Sequence, residues 1–167
     1  MFRQATEADL PAILSIIRQA QAYLASQGVD QWQDGTPNAH MMRGDLRDGV
    51  SYVLEWDGEV IGMATVIFTG EPTYAVIEGG AWATPEPYGC IHRFALSAAH
   101  RGTGVSGKLM AGAEQIIRGR GVSSARIDTH RDNLVMQGML KKNGYTPRGM
   151  IYLANGDPRV AFEKALT

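Results

Sequence analysis

A glycine-rich turn constrains this chain more than any other stretch. It reads His100-Arg101-Gly102-Thr103-Gly104-Val105-Ser106-Gly107-Lys108-Leu109. Before it lies an apolar run, Cys90-Ile91-His92-Arg93-Phe94-Ala95-Leu96, with the character of a strand. After it, Val105 to Ile117 has the amphipathic spacing of a helix. A glycine turn between strand and helix leaves several backbone N–H groups without partners at the positive end of a helix dipole. Such a turn is a ready-made phosphate site.

Two parsings of the turn compete. Gly102-x-Gly104-x-x-Gly107 matches the dinucleotide fingerprint, and Asp128, roughly 20 residues on, stands where that motif places its ribose-binding acid. An NAD(P)-dependent dehydrogenase would follow from it. Against this parsing, Ser97-Ala98-Ala99-His100-Arg101 intervenes between the strand and the first glycine. The turn also lies past the midpoint of the chain, and Thr129 to Thr167 is too short for the rest of a doubly wound sheet.

The second parsing starts one residue earlier, as Arg101-x-x-Gly104-x-Ser106. Here the chain resembles the GNAT superfamily of acyl-CoA N-acyltransferases, whose pyrophosphate loop reads R/Q-x-x-G-x-G/A. The resemblance runs over nearly all 167 residues. It takes in an N-terminal strand and helix, a hairpin, the loop with its helix, Asn133 opening a later helix, and Gly144-Tyr145 after that helix. Ser106 departs from the usual Gly or Ala, but it is small enough for close backbone approach.

Composition sets the class. A length of 167 residues with 44% hydrophobic and 20% charged residues suits one soluble globular domain, 1–167. A net charge of −1 gives no electrostatic reason to expect nucleic acid or an anionic membrane as partner. The single cysteine, Cys90, excludes an internal disulfide framework and fits a reducing cytoplasm. Met1 to Glu7 carries no signal-peptide pattern, and no apolar run approaches membrane-spanning length. No His, Cys, Asp and Glu set has metal-ligand spacing.

Along the chain, Met1 to Ala5 predicts a short strand, and Thr6-x-x-Asp9 a capping box with Asp in the place of Glu. Leu10, Ile13, Leu14, Ile17 and Leu24 recur at helical spacing up to the stop at Gly28. A second helix is predicted over Ala39 to Arg47. Ser51 to Trp56 and Glu59 to Phe68 predict a hairpin through Asp57-Gly58. Gly70 to Tyr88 is a long connection with Tyr74, Ile77 and Trp82 in it, too apolar for a linker, so it should pack down as a lid or wall. Then come the turn and its helix, a strand near Ser124 to Thr129, a helix from Asn133 to Lys142, and two closing strands around Asn155-Gly156-Asp157-Pro158. The expected fold is α/β: a mixed, mostly antiparallel sheet with a central βαβ unit and helices on both faces.

The resemblance implies an acetyl-CoA-dependent N-acetyltransferase and a set of roles. Gly102, Thr103, Gly104, Val105, Ser106 and Gly107 would cradle the coenzyme phosphates, with charge from Arg101 and Lys108. Backbone groups around Phe94 and Leu96 would pair with the pantetheine amides, and Asn133 would touch the coenzyme. His92 is a candidate base, since alternation would put Cys90, His92, Phe94 and Leu96 on one strand face. Its bland alternative is a half-buried histidine fixed by a neighbouring carboxylate. His130 is a second candidate for proton transfer. Trp32 could stack on the acceptor amine, or merely pin its loop to the core. Many relatives place a general-acid Tyr seven residues after the helix-opening Asn; here that position is Leu140. Cys90 as an acyl-carrying nucleophile lacks a demonstrated base, so a packed thiol is the better reading. A non-catalytic acyl-CoA-binding module is therefore the main alternative to an enzyme. The acceptor is a small-molecule or peptide amine of open identity. Homodimers through the closing strands are common in the family.

Overall fold

The computed structural model describes residues 1–167. Its strands are β1 (Phe2–Gln4), β2 (Ser51–Trp56), β3 (Glu59–Ile67), β4 (Gly89–Leu96), β5 (Ser124–Thr129), β6 (Thr146–Tyr152) and β7 (Pro158–Ala165). The helices are α1 (Leu10–Ser26), α2 (Ala39–Arg47), α3 (Val105–Gly119) and α4 (Leu134–Lys142). The seven strands form one open sheet in the order β1-β2-β3-β4-β5-β7-β6. The sheet is mixed. β4 and β5 pair in parallel through Gly89–Ala125 and Cys90–Arg126, with α3 as the crossover between them, while the β1–β2, β2–β3, β5–β7 and β6–β7 pairs are antiparallel. This is the α/β arrangement predicted from the sequence.

The chain clusters into two compact units, Met1–Val66 with Arg93–Ala113, and Ile67–His92 with Glu114–Thr167. The first is organised around Ile13, Ile16, Ile17, Met42, Val53 and Met63, all almost wholly buried. Its entry into α1 is set by the capping box: the Thr6 amide donates to Asp9 Oδ2 at 2.8 Å. Arg3 donates to both oxygens of Asp9 and to Glu55, which ties β1 to β2 and to the helix start. The Asp57-Gly58 hairpin has φ of +49° and +78°, the paired left-handed conformation of a type I′ turn.

The second unit holds the long connection between β3 and β4. A 3-10 turn, Pro72–Tyr74, buries the Tyr74 ring against Tyr88, Cys90, Ile151 and Ala161. Glu78 bridges to Met150 of β6. The carboxylate of Glu163, on β7 and fully buried, accepts from the Ala83 and Thr84 amides and the Thr84 hydroxyl, and pairs with Arg148 at 2.7 Å. Arg126 lies with its guanidinium over the rings of Trp82 and Tyr88 and donates to the Thr84 carbonyl. The connection therefore packs down as a wall of this unit, as its apolar content required.

Gly80 marks the closest approach of that wall to the sheet. A Cβ there would stand 1.8 Å from the Arg148 carbonyl oxygen, so only glycine fits without moving main chain. Gly80→Ala should lower stability by about 1–3 kcal/mol, the usual cost of forced overpacking. Urea denaturation of the variant beside the wild type checks this.

Candidate active site

β4 carries the chemistry of the second unit. Cys90 and His92 lie on the same side of the strand, with Sγ 3.1 Å from Nε2. The same ring nitrogen is 3.0 Å from Glu71 Oε2, contributed by the connection. A bare nitrogen lone pair facing a carboxylate oxygen at that distance would be repelled, so Nε2 carries a proton and is shared between Glu71 and the sulfur. Behind this pair, the Tyr74 hydroxyl donates to Asp128 Oδ2 at 2.7 Å, and the Tyr74 ring lies 6.5 Å from the imidazole. A cavity of about 310 Å³ opens alongside, lined by Glu71, Pro72, Tyr74, Glu86 and Tyr88 among others.

The electrostatics follow from these contacts. Burial alone would lower the pKa of His92, but Cys90, Glu71 and Asp128 together outweigh it and push the imidazole up to about 10. The His92 hydrogen bond holds Glu71 down at about 2 despite partial burial. Burial raises Asp128, against the hydrogen bond from Tyr74 and the charge of Arg159. At neutral pH the centre of the cluster is thus an imidazolium–carboxylate pair. His92 is fixed by a neighbouring carboxylate. Cys90 is a buried free thiol beside its Nε2.

The alternation expected along β4 stops at Arg93. Its φ of +48° is left-handed, which interrupts the period of two between His92 and Phe94. Arg93 pairs with Asp45 of α2 at 3.3 Å, and Asp45 also accepts from the Thr65 hydroxyl. The face shared by Cys90 and His92 is therefore not extended by pattern alone to Phe94 and Leu96.

The glycine turn belongs to the first unit. After β4, a 3-10 turn at Ala98–His100 leads into Arg101 to Gly104, and α3 opens at Val105. Gly102 and Gly104 have φ of +74° and +82°, and nothing lies within 4 Å of where a Cβ on either would stand. Thr103 donates its hydroxyl to the His100 carbonyl. Arg101 lies with its guanidinium 4.2 Å over Tyr23 and donates to the Gln19 carbonyl, while the Lys108 ammonium sits 4.4 Å over Trp56. Both cations are held on aromatic faces; Arg101 anchors the turn to α1. What the turn offers an anion is main chain, namely the first N–H groups of α3 and a glycine pair whose left-handed backbone leaves room around it.

Comparison with known proteins decides the family. The sequence matches the acetyltransferase (GNAT) family over residues 16–145. The chain belongs to that family. A GNAT family acetyltransferase of Streptococcus agalactiae is similar to it at 33% identity, with a TM-score of 0.90 over 99% of this chain and 94% of that one. The PaiA N-acetyltransferase of Thermoplasma acidophilum, solved in complex with coenzyme A, shares the fold at 15% identity, with a TM-score of 0.72 over 99% and 98% of the two chains. So does the ribosomal-protein-alanine N-acetyltransferase of Brucella melitensis, at 21% identity and a TM-score of 0.66 over 99% of each chain. No curated protein matches the sequence.

Within this GNAT fold the remaining predicted residues take definite places. Asn133 caps α4, accepting from the Met136 amide at 3.1 Å. His130 Nδ1 accepts from the Asp132 amide at 3.0 Å, and its carbonyl accepts from the Asn133 amide, so it organises the turn before α4. Trp32, at φ +61°, packs against the core of the first unit. Leu140 is fully buried, and burial pushes the Tyr145 phenol far up, as suits a core aromatic. Asp128 is half-buried and bonded to Tyr74, which removes the ribose-binding role that the dinucleotide parsing would give it. Glu71 was invisible to sequence reasoning. Its only local signal is Glu71-Pro72-Thr73, a turn cap, and the partner that matters is 21 residues away.

The ion pair makes stability depend on pH in two directions. His92 is raised above the ordinary 6.5, so its contribution is full below about 6.5 and is lost as pH climbs through about 10. Glu71 is depressed below 4.5, so its contribution is full above about 4.5 and is lost as pH falls through about 2. The Tm difference between wild type and Glu71→Gln should therefore peak between pH 4.5 and 6.5 and shrink on either side. Thermal melts monitored by circular dichroism from below pH 4.5 to above pH 6.5, toward about 2 and about 10, check it.

Proposed function

We propose that the protein transfers an acetyl group from acetyl-CoA directly to a primary amine of a small-molecule or peptide acceptor. The observation that carries this is the turn between β4 and α3: two left-handed glycines with open space around them, feeding the N-terminus of a helix of the family's coenzyme-binding kind. Main-chain groups of Gly102 to Gly107 would hold the pyrophosphate, and those of Phe94 and Leu96 the pantetheine amides. Asn133 would add a coenzyme contact through the start of α4. Bound acetyl-CoA supplies an activated thioester; the chain supplies position and proton handling. His92 is the titratable group on β4 best placed by its chemistry for the latter. Trp32 and its loop would border the acceptor. We place the protein in the cytoplasm, in keeping with its one cysteine, a buried free thiol.

A second reading, a non-catalytic acyl-CoA-binding module, is favoured by one fact: Leu140 stands where many relatives carry the acidic tyrosine, and it is buried.

Titration calorimetry with acetyl-CoA tests the donor. The wild type should bind, and Gly104→Val should bind about 5- to 30-fold more weakly, since a left-handed backbone costs an L-residue roughly 1–2 kcal/mol. Circular dichroism controls for folding. Failure of the wild type to bind acetyl-CoA overturns the proposal. Binding without thiol release across a broad panel of amines selects the second reading.

A further inference from the structure

We propose that Arg93 recognises a carboxylate on the acceptor, so that the amine acetylated by this protein is an amino acid or another amine bearing a carboxylate. This rests on the acetyl-transfer reading above. Arg93 stands in the second half of β4 with its side chain four-fifths buried. Its ion pair runs from Nη1 to Asp45 Oδ2 at 3.3 Å. Its Nε is closed off from solvent and has no hydrogen-bond acceptor.

Other arginines of the chain show how a purely structural guanidinium is held. Arg3 donates from Nη1 and Nη2 to both oxygens of Asp9, at 2.8 and 2.9 Å, and from Nε and Nη2 to Glu55. Arg126 and Arg148 also bury an Nε without a hydrogen bond, but in each that nitrogen faces the Glu163 carboxylate, at 3.8 and 2.7 Å. At Arg93 the ion pair uses Nη1 instead, and the Asp45 oxygen it meets already accepts from the Thr65 hydroxyl at 2.9 Å. Asp45 therefore sets where the arginine head sits and leaves most of its donor fork unused. A buried polar atom in that state calls for a partner, and the fork matches the two oxygens of a carboxylate.

Placement favours the acceptor over the coenzyme. The phosphates are assigned to the turn that starts at Arg101. Arg93 is three residues short of the end of β4, about 10 Å along a strand that rises roughly 3.3 Å per residue, and a 3-10 turn follows before Arg101. Its partner Asp45 is on α2, the helix that follows the Trp32 loop. Trp32 packs against a core cluster that includes Met42 of α2 and Ala95 of β4. All of these residues belong to the first unit. The backbone gives an independent sign. Left-handed φ at a non-glycine residue occurs at Trp32, Asp57 and Arg93. Asp57 is explained by its hairpin, which leaves Trp32 and Arg93, and strain of this kind collects at ligand clamps.

A ratio of rates on the full-length protein tests this. With acetyl-CoA as donor, kcat/KM is measured for the standard amino acids, β-alanine and 4-aminobutyrate, each beside its carboxamide, with simple alkylamines alongside. The acid-over-amide ratio of the best acid is then compared between variants at one pH, so that acceptor ionisation cancels. Arg93→Gln should lower that ratio by at least about tenfold, the scale of a lost charge-assisted pair. Arg93→Lys, which keeps the charge beside Asp45 without the fork, should lower it less, and its ratio decides if Arg93→Gln does not fold by circular dichroism. An unmoved ratio overturns the proposal even where both rates fall, because a purely structural Arg93–Asp45 pair would depress acid and amide alike. A wild type that acetylates amides or alkylamines but no acid overturns it too. If the wild type turns over no amine at all, the acetyl-transfer reading falls, and titration calorimetry of the same acids and amides decides Arg93 by itself. Tighter binding of an acid than of its amide, lost in Arg93→Gln, upholds the carboxylate site; equal binding overturns it.

Discussion

One buried carboxylate, Glu163, holds the connection between β3 and β4 in place. It sits in β7 with no exposed side-chain surface and receives two amides and a hydroxyl from Ala83 and Thr84, with Arg148 closing the charge. A lone carboxylate in such a position would cost several kcal/mol, so its partners are obligatory. Burial works to raise its pKa, yet these hydrogen bonds and Arg148 carry it below the ordinary value. The segment it fixes has no regular strand or long helix of its own, and the placement of Tyr74 and Glu71 depends on that segment. Arg126, laid over Trp82 and Tyr88, adds a second clamp on the same stretch.

Much of the fold was legible because its signals are local. The Thr6–Asp9 box, Asp57-Gly58, and the hydrophobic spacing of α1 and α3 each act within a few residues, and the observed elements follow them closely. α2, β2 and β5 have the predicted bounds. The glycine turn was legible for the same reason, since left-handed backbone at Gly102 and Gly104 is a property of the residue type.

The cluster around His92 was legible only in part. The alternatives for His92, a base or a histidine tied by a carboxylate, could not be separated by sequence, because the deciding partner arrives from the connection. Alternation along β4 also misled past one residue, since nothing in an Arg-Phe pair announces a left-handed backbone. Arg101 and Lys108 were read as phosphate charges from their positions alone. Their aromatic partners, Tyr23 and Trp56, come from α1 and β2. In each case the missing information is a long-range contact, and propensity carries none of it.

The left-handed residue in β4 is an arginine, not a glycine, so its conformation is imposed rather than intrinsic. The ion pair to Asp45 and the hydroxyl of Thr65 supply the imposition. The shape of β4 is thus written partly in α2 and β3. A change at Asp45, on a helix outside the sheet, would re-aim the second half of this strand without altering the strand's own sequence.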